Sequence, residues 1–223
     1  MQKNHNNKGG HPLDTTHIAI FIPFIAALLL LISARYKFRL HIGWPVLLIP
    51  ISLLIYFVQK IPAIAQGSIE EATIAWIPTF DIYFTTYLDG LSLLFSLLIT
   101  GIGALVILYS IYYMTKDQQL HHFYIYLLLF MGSMLGVVLS DHVMILYVFW
   151  ELTSISSFLL IAFWYQRKGS RYGAKKSLLI TVFGGFFMLA GFLMLYTVSG
   201  SFSIREMINQ FELIRQSELI LPI

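Results

Sequence analysis

Tyr147-Val148-Phe149-Trp150-Glu151-Leu152-Thr153-Ser154-Ile155-Ser156-Ser157 lies within Val143–Tyr165, an apolar run that carries a single charge. A helix of about 20 residues crosses a hydrocarbon core, so this run is long enough to span a membrane. Glu151 is its ninth residue. At ~1.5 Å of rise per residue its carboxyl lies roughly 14 Å deep, near the midplane. An ionised carboxylate there costs about 2.5–3.5 kcal/mol on insertion scales. Taking a proton, pairing with a cation on another helix, or facing a water-filled cavity would each relieve that cost. All three describe a group suited to exchanging protons. Tyr147 at i−4 and Ser154 at i+3 share its stripe and are candidate hydrogen-bond supports. The hydroxyls between Thr153 and Ser157 can bond across helices or hold ordered water. The structural alternative is a packing carboxyl bonded to neighbouring backbone.

The whole chain points to the same solvent. Of its 223 residues, 58% are hydrophobic and 11% charged, with a mean hydropathy of +0.77. A soluble domain is about 25% charged, and disordered chains combine low hydrophobicity with high net charge, so both classes are excluded. The absence of cysteine rules out disulfide scaffolds and thiolate sites. A dispersed net charge of +3 gives no argument for nucleic acid. Charge-free runs occur at His17–Ala34, Gly43–Val58, Leu91–Met114, Phe123–Leu139 and Ser177–Ser199. With Val143–Tyr165 they predict an all-α membrane protein of about six transmembrane helices. Gly43–Val58 is short and holds Pro45 and Pro50. It reads as a span that lengthens to Ile61 with a kink at Pro50, or as a re-entrant or interfacial segment.

The predicted organisation is a polar leader over 1–16, helices one and two over 17–61, and an outer loop or hairpin over 62–87. Helices three to six follow over 88–199, then an interfacial helix and the start of a further span over 200–223. The first apolar run is too long for a signal peptide, and Arg35, Lys37 and Arg39 follow it as a stop-transfer pattern. Alternating helices place Arg35, Lys37, Arg39, Lys116, Arg167, Lys168, Arg171, Lys175 and Lys176 on one side, in the 35–42, 115–122 and 166–176 loops. Lys3, Lys8, Lys60, Arg205 and Arg215 fall on the other. The positive-inside rule puts the first set in the cytoplasm and the N-terminus outside. The Gln59–Tyr87 loop alternates apolar and polar residues around turn formers, which suggests a strand pair; an irregular loop anchored by Trp76 and Tyr83 is the alternative. Ser201–Ser217 has a helical period with a polar face. Leu219–Ile223 reads as the opening of another apolar run, as if the sequence were a fragment or a truncated product.

Other polar residues have structural readings. Asp89 is expected to cap the third helix, and Asp141-His142 to form a capping turn between the fourth and fifth. His121-His122 could pass protons at an entrance or simply be solvated. Lys175 and Lys176 read first as topology markers. Lys176 is the better candidate for a charge partner of Glu151, by snorkelling inward. Gly184 and Gly191 share a face, and Gly132–Gly136 matches the small-xxx-small packing pattern. No phosphate loop, dinucleotide fingerprint, nucleophile elbow or zinc pattern is present, so neither a cofactor nor a metal is expected.

Tyr87-Leu88-Asp89-Gly90-Leu91-Ser92, Tyr147-Val148-Phe149-Trp150-Glu151-Leu152-Thr153-Ser154 and Lys175-Lys176-Ser177-Leu178-Leu179-Ile180-Thr181-Val182-Phe183-Gly184-Gly185 together resemble the antiporter-like subunits. These are shared by Mrp-type multisubunit Na+/H+ antiporters and the membrane arm of respiratory complex I. The resemblance runs from about residue 17 to 215, and the Gly184-Gly185 pair sits closer to the large A-subunit branch of the Mrp antiporters. It implies that this chain is the N-terminal part of a helical bundle with about fourteen or more helices and inverted five-helix repeats. It further implies that Glu151 is a proton carrier partnered by a lysine on a seventh span. The implied partners are other antiporter subunits, Na+ and H+, in a bacterial cell membrane. The expected function is a transporter subunit rather than an enzyme, coupling Na+ efflux to H+ uptake. The alternatives are a proton-pumping subunit of an NADH-quinone oxidoreductase-like or hydrogenase complex, or an inactive truncated scaffold.

Overall fold

The computed structural model describes residues 14–33, 41–77, 79, 82–114 and 119–210. The expectations for the leader up to residue 13, the loop basic residues Arg35, Lys37, Arg39 and Lys116, and everything after residue 210 lie outside them. Six described helices are long and apolar enough to cross a membrane. They are α1 (Thr15–Ser33), α2 (Gly43–Ala65), α3 (Gly90–Tyr113), α4 (Leu120–Leu139), α5 (Val143–Ile161, extended by a 3-10 turn to Trp164) and α6 (Lys168–Ser199). A two-stranded hairpin, β1 (Glu70–Ile77) and β2 (Ile82–Leu88), lies between α2 and α3, and a short α7 (Ile204–Asn209) follows α6. The fold is that of an all-α membrane protein with one small hairpin. The helices alternate between a hairpin end and a basic end, where Arg167 and Lys168 lie.

α4 is the axis of the bundle. It packs against α1, α3 and α5, while α2 packs chiefly on α3. Tyr124, Leu128, Leu135 and Leu139 are fully buried along one stripe of it. Their spacings of four, seven and four residues are what place them on one helix face. Two glycines on α4 admit its neighbours. A Cβ on Gly132 would come within 2.7 Å of the Phe24 ring on α1, and one on Gly136 would overlap the Phe149 ring on α5. The two rings therefore close over the Gly132–Gly136 pair, with centroids 6.3 Å apart. Close approach through small residues is how membrane helices associate where hydrophobicity gives no drive.

Gly43–Ala65 is one helix of 23 residues that contains Pro50 and Pro62, so it has the length of a span. Of the two readings of the following segment, the chain adopts the strand pair. Glu70 opposes Leu88 and Ile74 opposes Phe84, with an irregularity at Trp76. Thr73 and Thr85 share a cross-strand hydroxyl bond of 3.0 Å. Lys60, near the end of α2, reaches Glu70 at 2.8 Å. At the start of α3, Asp89 accepts from the Ser92 amide at 2.9 Å, and the Ser92 hydroxyl accepts from the Asp89 amide at 2.8 Å. That reciprocal box satisfies two donors that a helix start leaves free.

The hairpin end is tied by main-chain bonds between three distant segments. The Asp141 amide donates to Thr85 O at 3.0 Å, the Val143 amide to Phe202 O at 3.0 Å, and the Ile204 amide to Asp141 O at 2.8 Å. Asp141 is not the cap expected of it. The N-cap of α5 is His142, with no side-chain cap bond. The Asp141 carboxylate instead accepts from the Ser203 hydroxyl at 2.8 Å and faces Arg205 at 3.6 Å. Its partners lie about sixty residues along the chain, beyond the reach of a local capping rule.

The 166–176 segment also departs from expectation. It is helical from Lys168 onward, making α6 a helix of 32 residues. Lys, Arg and Ala are good helix formers, so the helix begins within the charged stretch, before the apolar run does. At ~1.5 Å per residue α6 is about 48 Å long, well beyond a hydrocarbon core of roughly 30 Å. Only Ala174, Gly185 and Ser199 are buried on it.

Candidate functional site

The α5–α6 seam carries the chemistry. Glu151 lies midway along α5 and is half-buried. Its Oε1 is fully enclosed and has no hydrogen-bond partner among the described residues. That oxygen lies against Gly185 on α6, where an added Cβ would overlap it and would stand 3.2 Å from the Glu151 Cδ. A carboxylate oxygen enclosed without a donor is unstable unless a proton, a cation or water reaches it.

A groove of about 470 Å³ runs along the same seam, lined by hydroxyls from both helices and by Trp150, Ile161 and Met188; Glu151 itself is not in its wall. Thr153, Ser154 and Ser157 come from α5, and Ser177 and Thr181 from α6, with Gly184 in the wall. Several of these hydroxyls already donate to their own helix: Thr153 to Trp150 O at 2.6 Å, Ser154 to Trp150 O at 3.3 Å, and Thr181 to Ser177 O at 3.0 Å. Their oxygen lone pairs remain for a water, a proton-carrying chain or a cation.

The expected site residues are therefore gathered only in part. Ser154 is buried and lines the groove with its hydroxyl. Tyr147, one turn before Glu151, is its electrostatic and hydrogen-bonding neighbour, while Oε1 stays without a partner. Lys176 is exposed, as is Lys175. It stands nine positions before Gly185, about 14 Å along the helix, and no ion pair among the described residues joins it to Glu151. Gly184 and Gly191, expected to make a packing face, both look onto open space. The glycine that makes contact is Gly185. Sequence reasoning missed it, together with Ser177 and Thr181. Each lies on the helix opposite Glu151, and only the pairing of the two helices selects them.

A second polar cluster, at the hairpin end, is structural. Burial pushes the Asp141 carboxyl above the usual carboxylate range, against the Ser203 bond, and the nearby negative charge of Glu71 adds to the effect. Arg205 does not reverse it. Its guanidinium lies over the Tyr87 ring, and its side chain is 39% exposed.

Comparison with known proteins matches this architecture. Residues 140–222 match the family model described as NADH:quinone oxidoreductase/Mrp antiporter, TM. Residues 75–124 match that of the N-terminus of chain 5 of NADH-ubiquinone oxidoreductase (complex I). These two stretches carry the pattern of the antiporter-like membrane subunit family shared by Mrp antiporters and complex I. The chain is similar to the A subunit of the Na(+)/H(+) antiporter of Alkalihalophilus pseudofirmus, with 56% identity over 211 residues, 94% of this chain and 26% of that protein. It is also similar to the A1 subunit of the Na(+)/H(+) antiporter of Staphylococcus haemolyticus, with 54% identity over 209 residues, 94% of this chain and 26% of that protein. The chain thus spans about a quarter of the length of these curated relatives. Among solved structures, the Mrp complex from Dietzia sp. DQ12-45-1b superposes with a TM-score of 0.77 at 30% identity, covering 87% of this chain and 21% of that one. The membrane-bound sulfane sulfur reductase, an archaeal respiratory membrane complex, gives a TM-score of 0.73 at 19% identity, covering 92% and 31%. At that identity the likeness is one of fold alone.

Proposed function

We propose that this chain is part of a subunit of a multisubunit monovalent cation/proton antiporter, in which Glu151 carries the proton. The observation that carries the reading is the enclosed, unpartnered Oε1 of Glu151 at mid-span, in a seam that also holds a groove with hydroxyls from both helices. The relatives named as A and A1 subunits of Na(+)/H(+) antiporters support the choice of ions. Glu151 takes up H+ when cationic charge near it withdraws and releases H+ when that charge returns, since a nearby cation favours the ionised carboxylate. Such reciprocal preference couples two ions without their sharing a site. The direction is Na+ outward against H+ inward, with the basic end of the bundle in the cytoplasm. The partner lysine that the family resemblance implies belongs to a seventh span, outside the described residues. Lys176 shapes the field at the basic end. Tyr147 and Ser154 support the carboxyl along α5.

The test is Na+-driven proton movement in everted membrane vesicles that carry the full-length chain in its complete complex. Glu151→Ala is expected to abolish exchange while assembly stays normal, and Glu151→Asp to retain a fraction of it. Wild-type exchange by the Glu151→Ala complex would refute the role given to the carboxylate.

A further inference from the structure

We infer that Gly185 is the positioning residue of the Glu151 carboxylate: the side chain that glycine lacks is the space in which the carboxylate sits. This rests on Glu151 carrying the proton, as proposed above. α6 touches its neighbours along a narrow line. Its buried residues, Ala174, Gly185 and Ser199, are spaced by close to whole numbers of turns at 3.6 residues per turn, so they share one face. All three are small. Gly185 is the one that opposes a carboxyl group, with Oε1 of Glu151 against it and Oε2 3.8 Å from where a Cβ would stand. Gly184 and Gly191 meet nothing within 4 Å, so space for a side chain is plentiful elsewhere on this helix and scarce at position 185.

A methyl group at 185 meets the far end of a flexible side chain. The helix pair can therefore still form, and it is the carboxylate that moves. It swings away from α6 toward the groove lined by Ser154, Ser157 and Thr181, or α6 retreats from α5. Either way the distance between the carboxyl and whatever delivers or takes the proton changes. Misplacement of a reacting group by about 1 Å is enough to cost on the order of 100-fold in rate.

The experiment is a double-mutant cycle in the complete complex, read by Na+-driven proton exchange across a pH series and by the amount of assembled complex. Gly185→Ala is expected to lower exchange by about tenfold or more and to alter its pH profile. Glu151→Asp withdraws the carboxyl by one methylene. Combined with Gly185→Ala, it should exchange no worse than Glu151→Asp alone, because the collision is gone. Gly191→Ala should behave as wild type. Two results overturn the inference: a Gly185→Ala complex with wild-type rate and pH profile, or a double variant whose loss is the product of the two single losses. If Gly185→Ala impairs assembly, restored assembly in the double variant supports the inference and an equal defect overturns it. Normal exchange by Glu151→Ala would instead remove the functional reading on which this rests, and is read separately.

Discussion

α4 and α6 are both long apolar helices of one chain, and their surroundings are opposite. The most apolar stretch of α4 is 44% buried and that of α6 only 6%, although α6 is the more apolar of the two. Apolarity therefore does not report packing in this protein. Between lipid and a neighbouring helix an apolar side chain gains little from either choice. What distinguishes α4 is small residues at the right places, Gly132 and Gly136, each filled by a ring from another helix. α6 offers such a place at Gly185, and there the occupant is Glu151. The same device, a glycine that admits a side chain from across the seam, closes the core in one case and holds a carboxyl group in the other.

The comparison can be broken most sharply with paired truncations. Leu135 on α4 is fully buried, and Phe187 on α6 is 75% exposed. Leu135→Ala is expected to cost about 2–3 kcal/mol of stability, through the cavity and the packing contacts left behind. Phe187→Ala is expected to fall within about 0.5 kcal/mol of wild type. Thermal inactivation of the solubilised complex measures both. A loss at Phe187 equal to that at Leu135 would show that the bare face of α6 is covered in the full assembly. Next in size, Gly136→Val forces a branched side chain into the Phe149 ring and should cost about 1–3 kcal/mol by overpacking. A neutral result would mean that the α4–α5 seam yields as readily as α6 is expected to.

The hairpin end supplies the third prediction. Folded Asp141 binds its proton more tightly than it does with the joint open, because burial pushes its carboxyl up. The joint is therefore firmest below the ordinary carboxylate range, near pH 4, and loosens as pH climbs through the raised value. Hydrogen exchange at the Ile204 amide, corrected for intrinsic rate, should show that slope in wild type and lose it in Asp141→Asn. The smallest effect is expected at Lys60 and Glu70. Their side chains are 24% and 29% exposed, so Lys60→Ala should cost about 0.2–1 kcal/mol, in the same thermal assay.

The six spans were legible because hydropathy over some twenty residues is a local property. The Asp89 box was legible for the same reason, since donor and acceptor are three residues apart. The start of α6 was hidden because the charges of Lys168–Lys176 precede the apolar run although the helix already begins with them. Asp141 was misread because its hydroxyl partner, Ser203, is far away in sequence. Glu151 stood out by charge alone. The residue opposite it did not, because nothing local separates Gly185 from Gly184. Their difference lies in which way each faces α5, a matter of helix rotation that spacing on one helix does not contain.

The joint near residues 85, 141 and 203 is fastened by amides and carbonyls, which every residue type except proline supplies in full. Point substitutions at its surface positions can therefore accumulate with little harm. Lengthening or shortening any of the three strips by one residue would shift every donor out of phase with its acceptor. Over long divergence this corner should drift in composition, the Asp141–Ser203 pair apart, while its spacing stays rigid.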